Sequence, residues 1–319
     1  MPRYRHALPQ LGGNLFLTDG GIETTLAFHE GFELPDFAAF HLLKDSKGEA
    51  GLRKYFRTYA AIAMRWHTGL ILESATWRAS SDWGQKLGYT REALADVGRR
   101  AVHLLEEIRG EFECEQTPIV ISGCVGPRRD GYDRAWTMSE KEAETYHCEQ
   151  VHDFGETAAD MVCAMTMSYV EEAAGITRAA RAAGMPVAIS FTVETDGKLP
   201  SGQTVKAAIE QVDRTTSGYP CYYMINCAHP DHFEHVLGEG DQTLQRIRGL
   251  RANASRRSHA EMNEASDLDV GNPSEFGVQY ARLRSRLKQL NVMGGCCGTD
   301  HRHIEQIAEA CVPLFVIAP

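Results

Sequence analysis

The chain has 319 residues, 43% of them hydrophobic, and a formal net charge of −10 at pH 7. That length suits one large α/β domain or two small ones, and the acidic balance, without any dense lysine or arginine run, argues against a nucleic-acid-binding face. The opening stretch MPRYRHALPQLGG lacks a signal-peptide core and no segment reaches about eighteen apolar residues, so the sequence predicts a cytoplasmic protein with neither nucleic acid nor membrane as partner.

Short apolar, β-branched runs alternate with amphipathic stretches from end to end, the pattern of repeated βα units. In chain order the predicted strands are 14–20, 69–74, 118–124, 160–166, 186–192, 221–227, 247–253 and 291–295. The predicted helices that follow them are 50–67, 91–109, 139–158, 171–183, 203–217, 231–237, 275–290 and 301–311, with Thr90, Ser139 and Ser274 as N-caps. The strands read as nearly continuous apolar runs, as buried parallel strands do. A (β/α)8 TIM barrel over residues 1–319 accounts for eight such pairs. A doubly wound sheet is the alternative, but no Gly-x-Gly-x-x-Gly turn follows the first strand.

Barrel chemistry sits in the loops at the strands' C-terminal ends, so long loops there are informative. TDGGIETTLAFHEGFELPDFAAFHLL follows the first strand and RASSDWGQKLGY the second, and both are expected to wall a site. The stretch 255–273 after the seventh strand is either a lid or a plain surface loop.

Nine cysteines in a long chain without an export signal do not suggest a disulfide framework. Cys114, Cys148, Cys163, Cys221 and Cys311 read as small hydrophobes in apolar or helical settings, whereas Cys124 closes a strand near the rim. Cys227 ends the sixth strand, and Cys296 and Cys297 end the eighth, which puts three thiols on the catalytic rim. Adjacent residues of a regular strand face opposite ways, but glycines at 294, 295 and 298 allow the chain to turn so that both sulfurs converge. Three thiolates suit tetrahedral zinc with the fourth position left for water or substrate. Alternatives remain: the same glycines are suited to cradle a phosphate, His301 and His303 either complete a structural site or cap a helix, and His229 and His232 lie close to Cys227 in sequence. A vicinal disulfide is disfavoured by its stereochemistry.

TDGGIETTL (18–26), the pair Asn226-Cys227 and GGCCGTD (294–300) together resemble the zinc-dependent homocysteine S-methyltransferases, in that family's order and over nearly the whole chain. The resemblance implies that Cys227, Cys296 and Cys297 hold Zn2+ and that the thiol of homocysteine is the fourth ligand. It also implies a homocysteine pocket around Asp19, Gly20, Gly21, Glu23, Thr76, Asn226 and Gly295. No catalytic residue is implied beyond the zinc-activated substrate thiolate. Trp77 and Trp83 offer rings for cation–π contact with a cationic methyl donor.

Two departures from the family's pattern stand out. Relatives have an acidic residue where this chain has Met165, and Glu194 on the next strand is the expected substitute. Arg78, with Trp77 a donor-site candidate, sets a cation beside the donor, which is unfavourable unless the donor brings a carboxylate. The expected activity is methyl transfer from S-methylmethionine, S-adenosylmethionine or a related onium donor to homocysteine, giving methionine. Alternatives are a selenohomocysteine or other small-thiol methyltransferase, and a non-catalytic zinc-binding barrel. The chain lacks the long oligomerisation arm of the betaine enzymes, so a monomer or small homo-oligomer is expected.

Overall fold

The computed structural model describes residues 1–132, 136–238 and 240–315. Eight parallel strands close into a barrel in sequence order: β1 (Phe16–Leu17), β2 (Gly69–Glu73), β3 (Ile119–Val125), β4 (Met161–Met167), β5 (Val187–Phe191), β6 (Tyr222–Asn226), β7 (Ile247–Ala252) and β8 (Val292–Gly295). Closure comes from β1, where Phe16 registers with Gly69 of β2 on one side and Val292 of β8 on the other. The alternative of an open doubly wound sheet is thereby removed.

Alternation along each strand divides the core in two. On β2, Ile71 points into the barrel with Phe16, Val120, Met161, Met224 and Val292, whereas Leu70 and Leu72 point out toward the helices. The outer layer is formed by helices Ser46–Trp66, Arg91–Phe112, Glu140–Gly155, Val170–Ala182, Val205–Thr216, Pro230–Phe233, Pro273–Arg286 and His301–Cys311. Thr90 and Ser139 cap their helices as expected, Ser139 within a full capping box. Ser274 does not: Pro273 occupies the first helical position, and the carboxamide of Asn272 accepts the free backbone N–H groups of Ser274 and Glu275. The sixth helix is shorter than expected, with a 3-10 turn over Glu234–Val236 completing it.

The N-terminal residues plug the bottom of the barrel. Leu8 joins the inner cluster, the backbone N–H groups of Arg3 and Tyr4 donate to Asp160 Oδ1 (both 2.7 Å), and the same carboxylate receives Arg109 and the Ile121 N–H (both 2.9 Å). Among the described residues, no helix is long and apolar enough to cross a membrane.

Candidate metal centre and active site

Cys227, Cys296 and Cys297 meet at the C-terminal mouth, their sulfurs all within 4.8 Å of one another. Of the His, Cys, Asp and Glu side chains described, they are the only group of three or more so placed. The convergence arises differently from the bent strand the glycines suggested. β8 stops at Gly295, and Cys296 and Cys297 lie in the turn beyond it, closed by the Thr299 N–H and hydroxyl donating to Cys296 O at 3.1 and 2.7 Å. Strand alternation therefore no longer applies to them. Gly294 and Gly295 are needed for close approach: a Cβ would stand 1.8 Å from Thr18 Oγ1 at the first and 2.0 Å from Thr299 Oγ1 at the second.

The third thiol is aimed by backbone strain. Cys227 has φ 55° and Thr166, at the end of β4, has φ 64°, a region unfavourable for side-chain-bearing residues. Asn226 holds both turns. Its Oδ1 accepts the Thr166 N–H (3.0 Å) and the Ser190 hydroxyl (2.6 Å), while its Nδ2 donates to Thr166 Oγ1 (2.9 Å). The Tyr132 hydroxyl donates to Cys227 O at 2.9 Å. Asn226 is thus a brace for the thiol rather than part of the cavity wall.

The sulfurs of Cys227 and Cys296 lie against one another, with Cα atoms 5.5 Å apart, while Cys297 stands free beside them. This one close pair, between the ends of two strands and not the vicinal pair, makes no disulfide framework. A disulfide and a shared metal are two uses of the same convergence, and the second requires the pair reduced. The donor set fits a soft cation. Burial, and then the charge of Glu23, push the Cys297 thiol up to about 12, so without a cation it stays protonated. The histidines do not contribute: His303 sits in the capping box of its helix and His229 caps the sixth helix.

A cavity of about 230 Å³ opens beside Cys227 and Cys297. The loop after β1 supplies Glu23, Thr24, Phe28 and Phe37, the loop after β2 supplies Trp77 and Arg78, and β4 supplies Thr166. The stretch after β7 roofs the cavity through Arg257, His259 and Met262. That roof is ordered by a short helix, His259–Glu264, capped by Ser258, and His259 stacks on Tyr132 with ring centroids 3.4 Å apart. Glu194 opens instead onto a narrow adjoining cleft shared with Cys227, Tyr132 and His259.

The remaining expected site residues take supporting positions. Asp19, Gly20 and Gly21 are buried behind the wall. Asp19 accepts Arg251 Nη1 at 2.5 Å on one oxygen and the Tyr55 hydroxyl at 2.9 Å on the other. Thr76 is fully buried and its hydroxyl donates to Cys124 O at 2.7 Å. Met165 packs inside the barrel beneath Thr166, and Cys124 and Cys163 lie in the same inner cluster. Cys114 and Cys148 are exposed, so the reading of them as packed hydrophobes is corrected. Trp77 and Trp83 stack on the protein's own Arg78, with its guanidinium carbon 4.2 and 3.8 Å from their ring centroids.

Burial pushes the Glu73 carboxyl, beneath the site, up to about 7 from 4.5, and its Oε2 has no hydrogen-bond partner. Between those pH values the folded protein holds a proton that the unfolded chain releases, so stability falls as pH rises through the window. Glu73→Gln is expected to flatten that fall and to be the more stable form at pH 8 by about 3 kcal/mol. Urea titrations of both proteins at pH 4.5 and 8 check it. Equal slopes with pH would remove Glu73 from the account.

A family model for homocysteine S-methyltransferase matches residues 16–311. Homocysteine S-methyltransferase 4 of Zea mays is 22% identical over 93% of this chain and 90% of its own length. Betaine–homocysteine S-methyltransferase 1 of Bos taurus is 26% identical over 76% of this chain, which spans 61% of the bovine protein. The homocysteine methyltransferase MmuM of Escherichia coli superimposes in a metallated form with TM-score 0.68 and 16% identity, covering 95% of this chain and 98% of its own. Its oxidized form gives 0.67 and 17%, covering 96% and 99%.

Proposed function

The chain belongs to the homocysteine S-methyltransferase family and is an enzyme that methylates homocysteine, and we propose that it does so with zinc held by Cys227, Cys296 and Cys297 and with a sulfonium as methyl donor. The observation that carries this reading is the meeting of the three sulfurs within 4.8 Å on one side of a cavity large enough for two small substrates. The metallated form of the E. coli relative supports it. Zinc bound there would supply one thing, keeping ionised a substrate thiol that is mostly protonated at neutral pH when free, with a pKa of ~8.5.

The protein's own residues do the rest. Asn226 and Tyr132 fix the direction of Cys227, and the Cys296–Thr299 turn fixes the other two thiols. The stretch 255–273, with the Tyr132–His259 stack, forms one side of the cavity in which the substrates would meet. A new bond forms between the homocysteine sulfur and the methyl carbon as the methyl–sulfonium bond breaks. The electron pair of the broken bond stays on the donor sulfur, which leaves as a neutral thioether, and the thiol proton passes to solvent. A neutral leaving group needs no general acid.

Glu194, in the cleft beside Cys227, is assigned to the ammonium of homocysteine in place of the carboxylate that Met165 lacks. Glu194→Gln is then expected to raise the Michaelis constant for homocysteine about tenfold and to leave metal content unchanged. An unchanged Michaelis constant excludes this role. The function as a whole is tested by metal analysis of protein purified under reducing conditions, together with methionine formation across sulfonium and quaternary-ammonium donors. One zinc per chain and turnover with a sulfonium are expected. A metal-free active enzyme, or turnover with ammonium donors alone, contradicts the proposal.

A further inference from the structure

We propose that Arg78 receives a carboxylate of the methyl donor, so that this enzyme selects sulfonium acids over simple onium cations; the inference rests on the methyl-transfer reading above. The Arg78 side chain is only 8% exposed and lies on the cavity wall. The indoles of Trp77 and Trp83 stack against the guanidinium, and such stacking leaves the N–H edge as the place for an acceptor.

That edge is poorly filled. A guanidinium has five N–H donors, yet among the described residues Arg78 makes one long hydrogen bond, from Nη1 to Arg129 O at 3.3 Å. Its Nε has no partner. Among the described residues the carboxylate paired with it is Asp130, 4.0 Å away and half exposed. A buried cation so weakly paired is unfavourable until a carboxylate engages the fork, ideally through two parallel bonds.

The position of Arg78 points to the donor rather than to homocysteine. Arg78 enters from the loop after β2, whereas Cys227 follows β6, four strands away around the closed barrel of eight and hence on the opposite side. A thiol bound among Cys227, Cys296 and Cys297 leaves the Arg78 end of the cavity to the second substrate. An onium without an acid group would bring a second positive charge up to the guanidinium there and be repelled. A carboxylate-bearing sulfonium sets its negative end on Arg78 and its methyl toward the sulfurs.

The test compares kcat/KM for S-methylmethionine and dimethylsulfonioacetate, which carry a carboxylate, with that for trimethylsulfonium, which does not. Arg78→Met is expected to lower the ratio of acid to non-acid donors by about tenfold or more, with Arg78→Lys intermediate. An unchanged ratio, or an effect confined to the Michaelis constant for homocysteine, overturns the inference. If no donor yields methionine, it is the methyl-transfer reading that fails. The carboxylate site is then read directly by titrating propionate against tryptophan fluorescence. A saturable change in the wild type that weakens about tenfold in Arg78→Lys supports the site, and no saturable change overturns it.

Discussion

Serine in place of Cys227, Cys296 or Cys297 is expected to abolish stoichiometric metal binding and to lower methionine formation by about a thousandfold or more. A serine hydroxyl is a hard donor that stays protonated near pH 7, and two remaining thiolates no longer match a soft tetrahedral cation. Loss of the metal removes both the ionised form of the substrate thiol and its placement beside the donor. Placement alone accounts for a factor of this size or larger in oriented reactions. Cys148 is exposed on the helix Glu140–Gly155 and is not one of the three converging thiols, so Cys148→Ser serves as the control that keeps both metal and activity. Elemental analysis and a methionine assay on the four variants check the expectation. A rim variant that retains equimolar zinc and full activity contradicts the three-thiol site.

Asp19→Ala is expected to lower stability by about 3–5 kcal/mol, the largest single effect on folding, because it strands the Arg251 guanidinium in the barrel with its charge unpaired. Arg251 is buried and also donates to Gly20 O and Gly295 O, both at 3.1 Å, so the pair ties β7 to the turns after β1 and β8. Those turns carry Glu23 and the paired cysteines. The cost therefore falls on the rim as well as on the core. Asp19→Ala combined with Arg251→Met removes both charges and is expected to recover a large part of the loss, since replacing a buried pair by apolar groups is often nearly neutral. Urea midpoints of the two single variants and the double variant measure the coupling. Purely additive effects would mean that the pair contributes nothing of its own.

The eight strands and eight barrel helices were legible because each is specified locally, by unbroken apolar runs such as DMVCAMT and by caps such as Thr90 and Ser139. Asn272 was also legible in principle, since a proline at the next position marks it as the cap. The three thiols could be read because cysteines at strand ends and beside glycines are uncommon for packing alone. How they converge could not, because it depends on the strained φ of Cys227 and on β8 ending one residue before Cys296.

Other parts of the site depend on long-range contacts. The pairing of Asp19 with Arg251 was not legible, because Arg251 lies 232 positions away and nothing near either residue announces the pair. Tyr132 and His259 form a stack across two separate loops and were not anticipated. Trp77 and Trp83 were recognised as cation-binding rings, but the cation turned out to be Arg78, one residue after Trp77, brought between them by the turn into the short helix Ser81–Lys86.

Three protein thiolates around one zinc, with a place kept for the substrate sulfur, are the centre of the proposed chemistry. X-ray absorption at the zinc edge, on reduced protein with and without homocysteine, tests this most directly. Three sulfur neighbours and one lighter atom are predicted in the free enzyme, becoming four sulfurs when homocysteine is added. A sulfur count that homocysteine does not change, or a free enzyme that already has four sulfur neighbours, would contradict it.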